Sequence, residues 1–587
     1  MLKKPVPEGA MRMSAILNAL ARLNATLNAA VWGAPMLLLI IGTGIYLTAR
    51  TRFFQFAHVR HILSRTLFAI FRKSDVHKSG DERAISQFQA LATALAATTG
   101  TGNIAGVAAA IAIGGPGAVL WMWVSALFGM ATGYAENVLG IYFRRRNARG
   151  EWSGGPMYYI EAGLSKSRAL KRFARPLAVL FAAFCALASF GIGNMTQVNT
   201  VSEVMRTNFS VPGWATGLAV SGATALVILG SIRRIARVTE KLVPFMSIFY
   251  IAAALAVLIL NAGQIPHVFG TILKSAFCLR AALGGAGGMA LRRAVTMGFK
   301  RGVFSNEAGL GSTVIVHAAS DAREPAAQGM WAIFEVFFNT LVLCTLTAFA
   351  LLSSTVSGLP SLENANLTAR PGLISLAGHA RDHMPLIGAE RNELHRTSGA
   401  GGTVARLTVD GAKREILVRG PEGDRDLTYA NVMLASAYDA DGDGIRESAR
   451  FEELAGVSLV ALAFSRHFGS AAGAILALTI LFFAFSTVLG WSFYGMRSVE
   501  YLFGARAATP YRITYILFAF LGAVMSQNLA WDVADTLNGL MAVPNLIGVL
   551  CLSGLVVRIT RNYTARNITK KAPDAPPLLS FFTEASP

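Results

Sequence analysis

Long apolar runs alternate with short polar connections along this chain. Eleven runs approach or exceed the roughly 20 residues that cross a bilayer as a helix. They lie near 30–49, 87–113, 118–142, 177–205, 214–230, 243–262, 291–317, 328–353, 468–503, 512–526 and 534–558. The pattern predicts an all-α polytopic membrane protein, with the longer spans tilted or extended beyond the bilayer. Residues 354–456 break the pattern, being polar and without a spanning run. Inside them, TVARLTV and AKREILVRG alternate apolar and polar positions around Asp410-Gly411, the signature of a type I′ hairpin. This stretch reads as an inserted domain on the outer face.

The resulting partition places an N-terminal outer segment at 1–29 and the first span with a basic cytoplasmic loop at 30–85. Spans 2 to 6 occupy 86–262, and an outer loop with spans 7 and 8 occupies 263–353. The inserted domain covers 354–456, spans 9 to 11 cover 457–558, and a cytoplasmic tail covers 559–587.

Composition narrows the class. The chain is 53% hydrophobic and only 15% charged, too little charge to cover a soluble enzyme of 587 residues. Its net charge of +20 sits in loops. Between Arg50 and Arg83 there are eight Lys/Arg against three acids, and Arg144, Arg145, Arg146 and Arg149 follow the third run. Further clusters are Arg233, Arg234, Arg237 and Lys241, then Arg558, Arg561, Arg566, Lys570 and Lys571. All fall on one side if the N-terminus is outside and the C-terminus is cytoplasmic in a bacterial-type plasma membrane. Topology therefore accounts for the charge, and nucleic acid is not implied. Lys3, Lys4, Arg12 and Arg22 run against this orientation. Cys185, Cys278, Cys344 and Cys551 are scattered, giving neither a disulfide frame nor a metal pattern. No P-loop, HExxH or GxSxG motif occurs, which argues against an ATP-driven pump, a membrane hydrolase or any enzyme.

The stretch DADGDGIRESAR (439–450) resembles a calcium loop, with Asp439, Asp441 and Asp443 at alternate positions and Glu447 as a further ligand candidate. Its twelfth position is Arg450 rather than Glu. Both a Ca²⁺-ordered loop and a plain acidic turn fit.

Two segments carry the functional signal. AATTGTGNIAG (96–106) lies in the second run and SNEAGLGST (305–313) in the seventh. Setting the first run aside, the other ten divide into two groups of five, each opening with one of these glycine-interrupted segments. That correspondence points to an inverted-repeat secondary transporter. Glycine eases unwinding. Unwound backbone in hydrocarbon must line a cavity or bind a ligand. Half-helix N-termini suit a carboxylate, and freed carbonyls suit a cation. Close helix packing is the competing use of these glycines, but Glu307 in the second segment is an intramembrane carboxylate and favours a site.

These residues resemble the alanine or glycine:cation symporter family, that of the sodium:alanine symporters, over nearly all the chain outside 354–456. The motifs are TGTGNIAG (99–106), GGPGAVLWMWVSALFG (114–129), GGPMYYIE (154–161), GNMTQVN (193–199), RGVFSNEAGLGS (301–312), LGWSFYG (489–495) and ADTLNGLMAVPNLI (534–547). Leu120, Thr313-Val314 and Met496 depart from the usual Phe, Ala-Pro and acidic residue. The resemblance implies a LeuT-type five-plus-five inverted repeat behind one extra N-terminal helix, eleven spans in all. It implies symport of small neutral amino acids such as alanine or glycine with Na⁺, or alternatively with H⁺. A channel is the weaker alternative.

On that reading the substrate carboxylate meets backbone amides at Gly100, Thr101, Gly102 and Asn103. Phe304, Ser305 and Asn306 offer acceptors to the ammonium. Gln197 either reaches the same cavity or bonds between helices, and Trp491 either walls the pocket or packs. Ser486 and Thr487, facing carbonyls near Ala97 and Gly100, would complete a Na⁺ site. Glu307 either fixes the unwound segment or carries a coupling proton, with Arg301 or Lys300 as its partner. The sequence leaves the oligomeric state open.

Overall fold

The computed structural model describes residues 23–24, 26–72, 75–230, 232–277, 285–356, 456–469, 471–525 and 527–579, and only strand segments between 357 and 455. Among these residues, seven helices are long and apolar enough to cross a membrane, or eight if a pair bent by 60° near residue 552 counts as one span. The chain is thus a multi-pass membrane protein. α1 (Ala34–Arg50) ends the first span. The second run is split into α2 (Gln87–Thr98) and α3 (Ala105–Gly114). Then come α4 (Ala118–Tyr142), α5 (Lys171–Phe190), α6 (Thr196–Phe209), α7 (Gly213–Ile228) and α8 (Ile232–Leu260). The seventh run is split into α9 (Gly285–Asn306) and the single turn α10 (Val314–His317). α11 (Pro325–Val336) and α12 (Thr345–Val356) are joined by a π-helical segment, Phe337–Cys344. α13 (Ala471–Phe503), α14 (Ala508–Val524), α15 (Gln527–Cys551) and α16 (Ser553–Tyr563) complete the body.

The count of long helices is lower than eleven for a local reason. α2 and α3 are 12 and 10 residues long because the chain breaks between them, and α7 has only 16 residues. Helices absent from the sequence reading are also present: Phe54–Ala57, Val59–Arg65 and Leu67–Phe71 in the basic segment, Pro156–Leu164, Ile265–Ala276 and Val457–Phe468. Each has at most 12 residues, below the length at which apolar content alone announces a span.

The breaks are written in the backbone. A capping box starts α2: Ser86 Oγ accepts from the Gln89 amide, and Gln89 Oε1 accepts from the Ser86 amide. α2 ends where Gly100 turns extended (φ −118°, ψ −164°), and a single 3₁₀ turn, Thr101–Asn103, leads into α3. At the second break, Glu307, Gly309 and Gly311 have φ of +55°, +92° and +75°. Glycine adopts this left-handed region freely, whereas for Glu307 it is a strained conformation that its surroundings must hold.

Small residues let the helices meet around the first break. A methyl group at Gly490 on α13 would lie 2.6 Å from Ala97 Cβ. One at Gly193, in a π-helical turn, would lie 2.2 Å from Trp491 Cβ. Such close approach is how membrane helices gain packing energy. Away from the helices, strands Gly402–Val409 and Ala412–Val418 pair antiparallel with Val409 opposite Ala412. Asp439, Asp441, Asp443 and Glu447 lie outside the described residues.

Candidate functional site

Breaking α2 at Gly100 leaves its last carbonyls without the usual helical partners. Ser486 Oγ and Thr487 Oγ1, on α13, both donate to the Ala96 carbonyl at 3.2 and 3.1 Å. The hydroxyls thus stand at the first break, bonded one carbonyl before Ala97. A methyl group at Gly100 would lie 2.6 Å from Thr487 Oγ1 and 3.2 Å from Gln197 Oε1, so only glycine fits between them.

Gln197, on α6, faces the break. Its Oε1 accepts from the Thr101 amide at 3.2 Å and from Thr101 Oγ1 at 2.9 Å, while its Nε2 donates to the Ile192 carbonyl at 3.0 Å. Asn103 is fully buried, donates through Nδ2 to Asn339 Oδ1 at 3.4 Å, and gives its carbonyl to Thr347 Oγ1 at 2.9 Å. Its Oδ1 has no hydrogen-bond partner. A buried acceptor left unpaired is costly unless something fills it. Phe304 closes the other side: a methyl group at Gly102 would lie 2.8 Å from its ring.

Ser305 and Asn306 reach the same neighbourhood through the π-helical segment. Ser305 Oγ lies 2.8 Å from Thr340 Oγ1, and Asn306 Nδ2 donates to that oxygen at 3.1 Å. Asn306 Oδ1 also accepts from the Ala308 amide at 3.0 Å, capping the end of α9.

Glu307 is held differently from the sequence expectation. Neither Lys300 nor Arg301 pairs with it. Trp491 Nε1 donates to Glu307 Oε1 at 3.1 Å, and Ser312 Oγ donates to Oε2. Lys300 instead pairs with Asp535 at 2.7 Å, and Arg301 lies against the Phe304 ring. Trp491 is 1% exposed. It packs on Gly193, one of the two roles the sequence allowed, and it also ties α13 to the second break, a contact the sequence did not suggest.

The sequence reading missed a group of buried polar residues that hold the breaks. Glu136 on α4 accepts from the Gly309 amide at 3.1 Å, and Asn545 on α15 donates to both Glu136 and the Gly309 carbonyl, the latter at 2.8 Å. Glu335 on α11 accepts from Thr98 Oγ1 at 3.4 Å and meets His317 Nε2 at 3.0 Å. Thr99 Oγ1 donates to Asn339 Oδ1 at 2.6 Å. Glu136 and Glu335 were visible as carboxylates inside apolar runs, which is itself a pointer to function.

Beyond the helix ends, a cleft of about 960 Å³ opens among Arg144, Asp321, Glu324 and Tyr563. Burial pushes the Arg144 guanidinium down to about 10 and raises the Asp321 carboxyl above the usual range. Arg144 donates at 2.5 Å to each of the Ser320 and Ala322 carbonyls, which ties the end of α4 to the chain after the second break.

A polytopic membrane protein with two interrupted helices and polar groups crossing both breaks belongs with membrane transporters. The chain is a member of the sodium:alanine symporter family, whose model matches residues 17–381 and 432–576. It is 42% identical over 550 residues to the sodium/alanine symporter AgcS of Methanococcus maripaludis, covering 93% of this chain and 98% of that one. It is 38% identical over 538 residues to an uncharacterised transporter of Haemophilus influenzae, covering 91% and 94%. A probable sodium/glutamine symporter, GlnT of Bacillus subtilis, is 30% identical over 548 residues, covering 93% and 91%. A solved manganese transporter mutant from Eremococcus coleocola aligns with 81% of this chain and 80% of its own length at a TM-score of 0.41 and 13% identity, too distant to define the layout. The family match leaves out 382–431, within the polar stretch at 354–456.

Proposed function

We propose that this protein takes up a small neutral amino acid, alanine or glycine, together with Na⁺, through a LeuT-type five-plus-five core behind its first span. The observation that carries this reading is the junction at Gly100. There, two hydroxyls of α13 meet a freed carbonyl, and a carboxamide of α6 meets the broken backbone. Na⁺ needs neutral oxygens, and Ser486, Thr487 and the carbonyls from Ala96 to Gly100 supply that chemistry. Asn103 Oδ1, buried and unpaired, is an acceptor for the substrate ammonium. The carboxylate takes the amides from Gly100 to Asn103, displacing Gln197 from Thr101. Trp491, fixed by Glu307, limits side-chain size.

With the N-terminus outside and the C-terminus cytoplasmic, the basic loops face the cytosol and the 354–456 segment faces outward. The core is complete without that segment.

A proton-coupled variant of the same reading has one observation in its favour. His317 and Glu335 form a fully buried pair that reaches Thr98, the last residue before the first break. Purified protein in liposomes tests the two. Na⁺-coupled symport predicts concentrative uptake of labelled alanine under an inward Na⁺ gradient at equal pH. Uptake driven only by an inward proton gradient would select the other coupling, and uptake that neither gradient drives would refute both.

A further inference from the structure

We propose that Arg301 is a docking residue for the carboxylate of the incoming amino acid, forming a subsite separated from the first break by the Phe304 ring. This rests on the transport reading above and adds a substrate contact to it. The observation is an unpaired cation. Arg301 Nε and Nη1 are buried and without a hydrogen-bond partner. Its neighbour Lys300 is neutralised by Asp535 at 2.7 Å, whereas Arg301 forms no ion pair among the described residues. Arg301 as a whole is half-buried, but two of its three nitrogens are shut off from water without an anion, and the planar fork suits a carboxylate in two-point contact.

Position gives the cation its role. The Arg301 guanidinium carbon lies 5.3 Å from the centre of the Phe304 ring, an arrangement that itself favours a cation. The edge of that same ring is the group a methyl at Gly102 would strike at 2.8 Å. Arg301 and Phe304, one turn apart on α9, therefore stand in series with Gly102, and the arginine stem lies 3.8 Å from where a methyl group at Gly106 of α3 would sit. The Asp535 carboxylate paired to Lys300 keeps a second oxygen, Oδ1, buried and without a donor. A zwitterion held here has a guanidinium for its carboxylate and must move the Phe304 ring to reach Asn103.

The test uses the full-length protein in liposomes, with Arg301→Gln and Arg301→Lys assayed beside wild type for labelled alanine uptake. Losing one charge-assisted contact predicts a fall in kcat/KM of roughly 10- to 100-fold for Arg301→Gln, with partial recovery in Arg301→Lys. The fall should be equal in chloride and gluconate media, with the thermal midpoint of unfolding retained. A wild-type kcat/KM in Arg301→Gln overturns the proposal. So does a loss confined to chloride medium, which makes the bound anion chloride, or an equal loss in both variants with a lowered midpoint, which makes Arg301 a structural cation. Failure of the wild type to take up any amino acid overturns the transport reading itself, and is distinct from a failure confined to the variants.

Discussion

Replacing Gly100 with alanine should disable Na⁺ use while leaving the helix bundle intact. The added methyl would lie 2.6 Å from Thr487 Oγ1 and 3.2 Å from Gln197 Oε1. The first distance is too short to tolerate, so the Thr487 hydroxyl must leave the Ala96 carbonyl, which it now meets at 3.1 Å. Losing that bond costs about 0.5–1.5 kcal/mol. Overpacking a closed helix contact adds about 1–3 kcal/mol. The sum, about 1.5–4.5 kcal/mol, corresponds to a rise of roughly 10- to 2,000-fold in the Na⁺ concentration giving half-maximal uptake. The backbone at Gly100 has negative φ, so no left-handed strain confuses the result. Gly100→Ala, Thr487→Ala and the double variant form a cycle in liposomes. Removing the threonine hydroxyl makes room for the methyl, so the double variant should be less impaired than the two single losses predict, by about 1 kcal/mol or more. An unchanged Na⁺ dependence in folded Gly100→Ala would refute the placement of the ion site. Strict additivity in the cycle would refute the argument from the clash.

Ser486→Ala with Thr487→Ala should raise the Na⁺ requirement strongly with little change in thermal stability, as read by Na⁺ titration of uptake and an unfolding scan. Trp491→Phe removes the donor to Glu307, leaves a buried acceptor unpaired and should cost about 1–3 kcal/mol in stability, whereas Trp491→Ala should also let leucine or methionine compete with labelled alanine. Asp535→Asn leaves Lys300 unpaired and should destabilise the solubilised protein by about 3–5 kcal/mol, while replacing both residues with apolar ones should recover most of that loss. Deleting 382–431 with a short flexible linker should leave uptake measurable, and a well-inserted but inactive deletion would place that segment in the mechanism.

The apolar runs and the two glycine-broken segments were legible because both depend on local composition. A helix that must unwind announces itself through Gly100, Gly102, Gly309 and Gly311. Ser486 and Thr487 came from the resemblance rather than from spacing, and the structure puts both hydroxyls on the Ala96 carbonyl. What stayed hidden was the pairing of distant charges. Glu307 follows two cations within two helical turns, yet Lys300 pairs with Asp535 and Arg301 lies on the Phe304 ring. The partner of Glu307, Trp491, is 184 positions distant. Lys300 likewise finds Asp535 on α15, and Glu136 meets Asn545 across 409 positions. Such contacts depend on helix packing, which no local pattern encodes. The short helices of the basic segment were missed because a span-length criterion cannot register them.

Equilibrium binding of labelled alanine to the purified protein, with Na⁺ and with choline in its place, tests the central claim most directly. One site built from one broken helix predicts that Na⁺ tightens alanine binding and that alanine tightens Na⁺ binding by the same factor, since coupling between two ligands is reciprocal. Alanine affinity identical in Na⁺ and choline would contradict it.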